Sequence, residues 1–134
     1  TRIGGALNHR ASLDGGVLIK DNHLRAAGGI EQAIHKARSH ASHSLRIEVE
    51  VEDENGLMQA LNAGADVIML DNFSSADVKM AVDINKGRAI LEASGGITLD
   101  NIREYALTGV DLIAVGSLTH SAIAVDIAAE VLNA

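Results

Sequence analysis

From Val17 onward, short apolar runs alternate with longer stretches in which apolar residues recur every three or four positions. The runs are residues 17–20 (VLIK), 45–51 (LRIEVEV), 67–70 (VIML), 89–93 (AILEA) and 112–115 (LIAV). Their length and aliphatic, β-branched content predict five strands. Between and after them, apolar residues fall at helical spacing: Ile30, Ala33, Ile34 and Ala37; Leu57, Ala60 and Leu61; Val78, Ala81 and Val82; Ile102, Tyr105 and Ala106; and Ile123, Ile127 and Val131. Each group predicts an amphipathic helix that follows a strand.

Local punctuation agrees with this periodicity. Ser74 stands three residues before Asp77 as an N-cap pair, and Thr98 can cap a helix whose flanking Ile97 and Ile102 occupy the positions of a hydrophobic staple. The phrases NAGADVIML (62–70) and LTGVDLIAV (107–115) are two copies of one helix-to-strand joint, with Gly64 and Gly109 as left-handed helix stops. The copies lie two β/α units apart, so the architecture repeats.

Repeated strand–helix units make either a doubly wound sheet or a barrel. The units are similar in length, and polar residues gather at the strand C-termini: Lys20-Asp21-Asn22, Glu50, Asp71-Asn72, Ser94-Gly95-Gly96 and Gly116-Ser117. In a barrel those ends share one mouth, so the expected class is α/β, a partial (β/α) TIM-like barrel of five β/α units. A complete eight-fold barrel takes about 250 residues, and 134 residues therefore imply part of one.

The core of such a barrel must be aliphatic here, because the chain has one phenylalanine, one tyrosine and no tryptophan. No cysteine is present, which excludes disulfides and thiolate metal sites and suits a reducing compartment. A net charge of −7 without clustered Lys or Arg argues against nucleic-acid binding. No apolar run approaches the roughly 20 residues of a membrane span, and TRIGGALNHR has no signal-peptide core, so a cytoplasmic protein with no membrane association is expected.

Several stretches carry candidate chemistry. In SGGITLDNI (94–102) glycines allow close backbone approach and a helix start attracts an anion, so a phosphate cradle and a plain tight turn both stand. VGSLTHS (115–121) repeats a glycine and hydroxyls at the next strand end, which favours phosphate. LIKDNH (18–23) puts a lysine at a strand end, NHR (8–10) supplies a guanidinium suited to carboxylate or phosphate, and MLDN (69–72) ends an apolar strand on a carboxylate. Each could equally be a solvated turn. His35, His40 and His43 read as solvated histidines near a helix end rather than metal ligands. In RIEVEVEDE (46–54) three acids share one strand face. An exposed strand is the simplest reading, but in a barrel the inward face can be polar only near the mouth, which would make Glu50 a ligand group. Glu48, one layer deeper, should need a buried partner such as Lys20, and Glu52 should lie in solvent.

Together, GGALNHR, LIKDNH, EVEVE, MLDNF and EASGGITLDNIREYALTGVDLIAVGSLTHS closely resemble quinolinate phosphoribosyltransferase, also called carboxylating nicotinate-nucleotide pyrophosphorylase, and the resemblance runs along essentially the whole chain. It implies a pentosyltransferase that converts quinolinate and phosphoribosyl pyrophosphate, with Mg²⁺, to nicotinate mononucleotide, pyrophosphate and CO₂ in NAD biosynthesis. Carried over by position, His9, Arg10 and Lys20 would bind the quinolinate carboxylates. Glu50 and Asp71 would serve ribose and magnesium, the latter through water, and with Lys20 they are the expected catalytic groups. Ser94, Gly95, Gly96, Gly116 and His120 would cradle the 5′-phosphate. The family also implies a homodimer or higher homo-oligomer. Its members are longer, with an N-terminal α/β sandwich domain, first barrel strands and a TRKT-type basic motif where this chain has only TR. Residues 1–134 are thus expected to be the C-terminal part, acidic because the basic half is missing, and inactive in isolation. A competing expectation is a non-catalytic, phosphate-binding barrel fragment that self-associates to cover its strand edges.

Overall fold

A computed structural model describes residues 2–131. Five parallel strands form one sheet among these residues: β1 (Val17–Ile19), β2 (Ile47–Val51), β3 (Val67–Asp71), β4 (Ile90–Ser94) and β5 (Leu112–Ile113), in the spatial order β1-β2-β3-β4-β5. Each strand lies beside its predecessor, as in a (β/α) barrel, whereas a doubly wound sheet reverses its strand order at a switch point. The predicted partial barrel is therefore the observed architecture. The helices are α1 (Asp21–Ala27), α2 (Ile30–His40), α3 (Glu54–Asn62), α4 (Ser75–Asn85), α5 (Ile102–Ala106) and α6 (Ser117–His120). None is long and apolar enough to cross a membrane.

The two faces of the sheet differ sharply. One side of each strand feeds the apolar core: Ile47, Val49 and Val51 from β2, Ile68 and Leu70 from β3, and Leu91 and Ala93 from β4 pack with Ile34, Leu57, Ala60, Val78 and Ala81 of the helices. The other side carries Glu48 and Glu50 from β2, Val67 and Met69 from β3, and Glu92 from β4. The registers Glu48↔Val67 and Glu50↔Met69↔Glu92 set these into rows. Period-two alternation in β2 thus separates a helix-facing aliphatic side from an acidic one that would face the interior of a barrel.

The repeated joint has a shared hydrogen-bonding logic. Gly64 and Gly109 both adopt positive φ, +74° and +87°. Two residues later, Asp66 Oδ2 accepts from the Ile47 N–H at 2.7 Å, and Asp111 Oδ2 accepts from the Leu91 N–H at 2.8 Å. Each aspartate caps the entry of the preceding strand, an otherwise unsatisfied donor.

Three local expectations change. Ile123, Ile127 and Val131 form no helix: described residues 122–131 carry no regular structure, and Ile123 and Val131 are 96% and 94% exposed. An apolar stripe with no surface to cover does not hold a short helix together. Thr98 caps nothing through its hydroxyl, because Asn101 is the N-cap residue of α5, and its Oδ1 accepts from the Thr98 N–H at 2.8 Å. Lys20 lies beyond β1 and caps α1, a helix that the strand-end reading of LIKDNH did not anticipate; its N–H donates to His23 Nδ1 at 2.9 Å. Ser74 caps α4 as expected, accepting from the Asp77 N–H.

Candidate active site

Parallel strands deliver their C-terminal ends to one rim, and Lys20, Glu50, Asp71, Ser94 and Gly95 sit there. Lys20 Nζ lies 3.1 Å from Glu50 Oε2, so the lysine following β1 pairs with the acid on β2. The expected pairing of Lys20 with Glu48 is not made. Glu48 instead meets His9, whose Nε2 is 3.2 Å from Glu48 Oε2 and 3.8 Å from Glu92 Oε1. The reason is depth: a side chain starting one residue past the strand reaches the upper acid, and a separate loop supplies the partner of the lower one. Glu52 is exposed, as expected.

At the end of β3, Asp71 pairs in register with Ser94 of β4. Asn72 then turns back with φ 57°, its side chain donating to Asp71 Oδ2 at 2.8 Å and its N–H to the Ser94 carbonyl at 2.9 Å. Gly95 is required at this crossing. Its φ is +94°, and a Cβ there would meet the Asn72 nitrogen at 2.8 Å as well as the Asn72 side chain. Gly96 also has positive φ, and its carbonyl accepts from Asn101 Nδ2 at 3.1 Å. Beyond the neighbouring β5, Gly116 opens α6, and its carbonyl accepts from the His120 N–H at 3.2 Å. The His120 ring folds back over Gly116, with Nε2 3.3 Å from where a Cβ would stand. This short helix, not anticipated from VGSLTHS, is what brings the two residues together.

The acidic face is partly covered by the loop before β1. A cleft of about 950 Å³ runs between them, lined by His9, Arg10, Glu48, Val67, Glu92 and Gly116 among others. Lys20, Glu50, Asp71, Ser94 and Gly95 are not part of that lining. The residues therefore form two neighbouring groups: a strand-end rim and a cleft under the loop. Arg10 is drawn into its own loop, donating to the Gly16 carbonyl at 3.2 Å. A second cavity of about 630 Å³, lined by Arg46, Asp66, Arg88 and Asp111, lies at the opposite strand ends, where barrels carry stability rather than chemistry.

Glu92 was not singled out from the sequence, yet it is the most constrained acid of the site. It is only 6% exposed, and its Oε1 has no hydrogen-bond partner among the described residues. Burial, and then the Glu48 carboxylate, raise its pKa above the usual carboxylate range, with His9 opposing in part. The available signal was parity: Glu92 stands two before Ser94 in a strand, hence on the same face.

Comparison with known proteins sharpens the assignment. Residues 1–130 match the family described as quinolinate phosphoribosyl transferase, C-terminal domain. A probable carboxylating nicotinate-nucleotide pyrophosphorylase of Bacillus subtilis is 46% identical over 130 residues, 97% of this chain and 45% of that protein. The human carboxylating nicotinate-nucleotide pyrophosphorylase is 42% identical over 127 residues, 92% of this chain and 43% of its own. The solved nicotinate-nucleotide pyrophosphorylase of Francisella tularensis superposes with a TM-score of 0.84 at 47% identity, covering 88% of this chain and 42% of that one. The chain thus spans less than half the length of these relatives. Sequence motifs, sheet order and these matches agree, and the chain belongs to the family of quinolinate phosphoribosyl transferase C-terminal domains.

Proposed function

We propose that this chain is the C-terminal barrel portion of a quinolinate phosphoribosyltransferase, supplying the acids and the phosphate cradle for making nicotinate mononucleotide, pyrophosphate and CO₂ from quinolinate and phosphoribosyl pyrophosphate. The supporting observation is the rim itself. Lys20 and Glu50 pair at 3.1 Å, and Asp71, Ser94 and Gly95 follow on adjacent parallel strands.

In this reading Ser94, Gly95 and Gly96, with Gly116 and His120 across β5, hold the 5′-phosphate. Positive-φ glycines expose N–H groups to a ligand with no side chain in the way. Displacement of pyrophosphate develops oxocarbenium character at the ribose, and fixed carboxylates of Glu50 and Asp71 stabilise that charge. His9, Arg10 and Lys20 supply cations for the two carboxylates of quinolinate, and decarboxylation follows once the alkylated ring nitrogen can accept the electron pair. Glu50 and Asp71 are oxygen-only donors on the same face of adjacent strands, a set suited to Mg²⁺ held through water. Bound there, magnesium would neutralise the pyrophosphate leaving group. The reading extends, on the family resemblance alone, to a homodimer or higher homo-oligomer and to the cytoplasm.

The test is Glu50→Gln in the full-length enzyme. Turnover should fall by roughly a hundredfold or more, as for loss of a group that stabilises transition-state charge. Turnover within a few-fold of wild type would remove Glu50 from the mechanism.

A further inference from the structure

We propose that Asn101 is a positioning residue for the phosphate cradle: its side-chain amide clips the loop between β4 and α5 so that the Gly96–Ile97 peptide keeps one orientation, oxygen towards Asn101 and N–H towards the phosphate. The inference rests on the reading above, in which Ser94, Gly95 and Gly96 hold the 5′-phosphate, and deepens it. Asn101 Nδ2 donates to the Gly96 carbonyl at 3.1 Å, and Asn101 Oδ1 accepts from the Thr98 N–H at 2.8 Å. The two contacts straddle Ile97, whose side chain is anchored in the core. Both strands flanking β4, namely β3 and β5, belong to this chain, so the neighbours of this loop are present.

Peptide geometry gives the amide its leverage. In a trans peptide the C=O and the following N–H point in opposite directions, and no cis bond occurs among the described residues. Holding the Gly96 oxygen on Asn101 therefore turns the Ile97 N–H away from Asn101. Gly95 and Gly96, both at positive φ of +94° and +62°, leave little steric barrier to a flip of this peptide. A flipped peptide would set a carbonyl oxygen where an anion requires a donor. The Thr98 N–H is taken by Asn101, whereas the Ile97 N–H makes no hydrogen bond to protein among the described residues. Side-chain chemistry separates two roles for Asn101. The bond from the Thr98 N–H ties down the start of the α5 turn, and an aspartate could accept it equally well. Only an amide, with a donor beside its acceptor, can also hold the Gly96 oxygen.

The test measures ribose 5-phosphate affinity calorimetrically in the full-length enzyme as wild type, Asn101→Ala and Asn101→Asp, at low and high salt, beside Tm and the KM of each substrate. Asn101→Ala should weaken ribose 5-phosphate binding about tenfold, the scale of one hydrogen bond to a charged group. The KM for phosphoribosyl pyrophosphate should rise by a similar factor, while that for quinolinate stays close to wild type. Asn101→Asp keeps the Thr98 contact, so its Tm should match wild type, yet it should bind ribose 5-phosphate as weakly as Asn101→Ala. That weakening should persist at high salt, which screens direct repulsion by the new carboxylate. Wild-type affinity in Asn101→Asp, or a loss that vanishes at high salt, would reduce Asn101 to a structural tie and overturn the proposal. So would a wild-type enzyme that fails to bind ribose 5-phosphate at millimolar concentration. A wild type that binds ribose 5-phosphate but makes no nicotinate mononucleotide would instead sink the reaction assigned above, and the Asn101 inference would still be decided by the binding data.

Discussion

The two faces of the β2–β4 strands are built by opposite rules. On the helix side, Val49, Ile68 and Leu91 meet in register, almost wholly buried among other aliphatics. On the other side, one residue away, Glu50, Met69 and Glu92 form a row in which Glu50 is paired with Lys20 and Glu92 Oε1 has no hydrogen-bond partner among the described residues. The first face is made of groups whose burial is favourable wherever they lie, so its contribution to stability is additive and tolerant of detail. The second consists of groups whose burial is unfavourable unless a specific partner arrives, so it contributes little stability and much specificity of position.

Substitutions on either face put this contrast to measurement. Leu70→Ala, on the helix side, should have the largest effect, a loss of about 2–5 kcal/mol in urea-induced unfolding. A loss below 1 kcal/mol would mean that the helix layer is loosely packed. Gly95→Ala, where the acidic side turns over into the rim, should lower stability by up to about 3 kcal/mol through backbone strain and collision with Asn72. Wild-type Tm in that variant would show that the crossing can relax.

Asp66→Ala tests the strand-entry joint and should cost about 1 kcal/mol at neutral pH through loss of the Ile47 cap. Burial alone would raise the Asp66 pKa, but hydrogen bonds from Arg38 and the Ile47 N–H, with the charges of Arg38 and Arg46, hold it below the ordinary value. Its contribution is therefore fully present above the unfolded pKa of about 3.9 and is lost as pH falls through the lower folded value. The Tm gap between wild type and Asp66→Ala should shrink as pH is taken below that range.

Glu92→Gln should show the smallest effect, and of opposite sign. Because the folded pKa of Glu92 is raised, its destabilising contribution is absent below the unfolded value of about 4.3 and grows as pH rises through the folded one. In metal-free buffer the variant should match wild type near pH 4 and exceed it in Tm near pH 7. A variant less stable than wild type at pH 7 would show that the carboxylate has a favourable partner and would erase the contrast between the faces.

Much of this molecule was legible along the chain because its determinants are local. The five strands, the left-handed stops at Gly64 and Gly109, the Ser74 cap and the strand-end position of Asp71 and Ser94 depend on residues a few places apart, where periodicity and backbone freedom decide. The barrel winding followed from repetition of one such unit. Partner choice was not legible. His9 and Glu48 are 39 residues apart, and their meeting depends on the register of the strands and the path of a loop. Glu92 entered the site for the same reason, while Lys20, displaced past the end of β1, reached Glu50 instead of Glu48. The stripe through Ile123, Ile127 and Val131 marks the converse limit, because an amphipathic pattern forms a helix only when folding provides a surface for it to cover. Sequence alone determined which residues could be acid, base, stop or core; the tertiary structure decided which of them share a low-dielectric space, and that sets their charge and their chemistry.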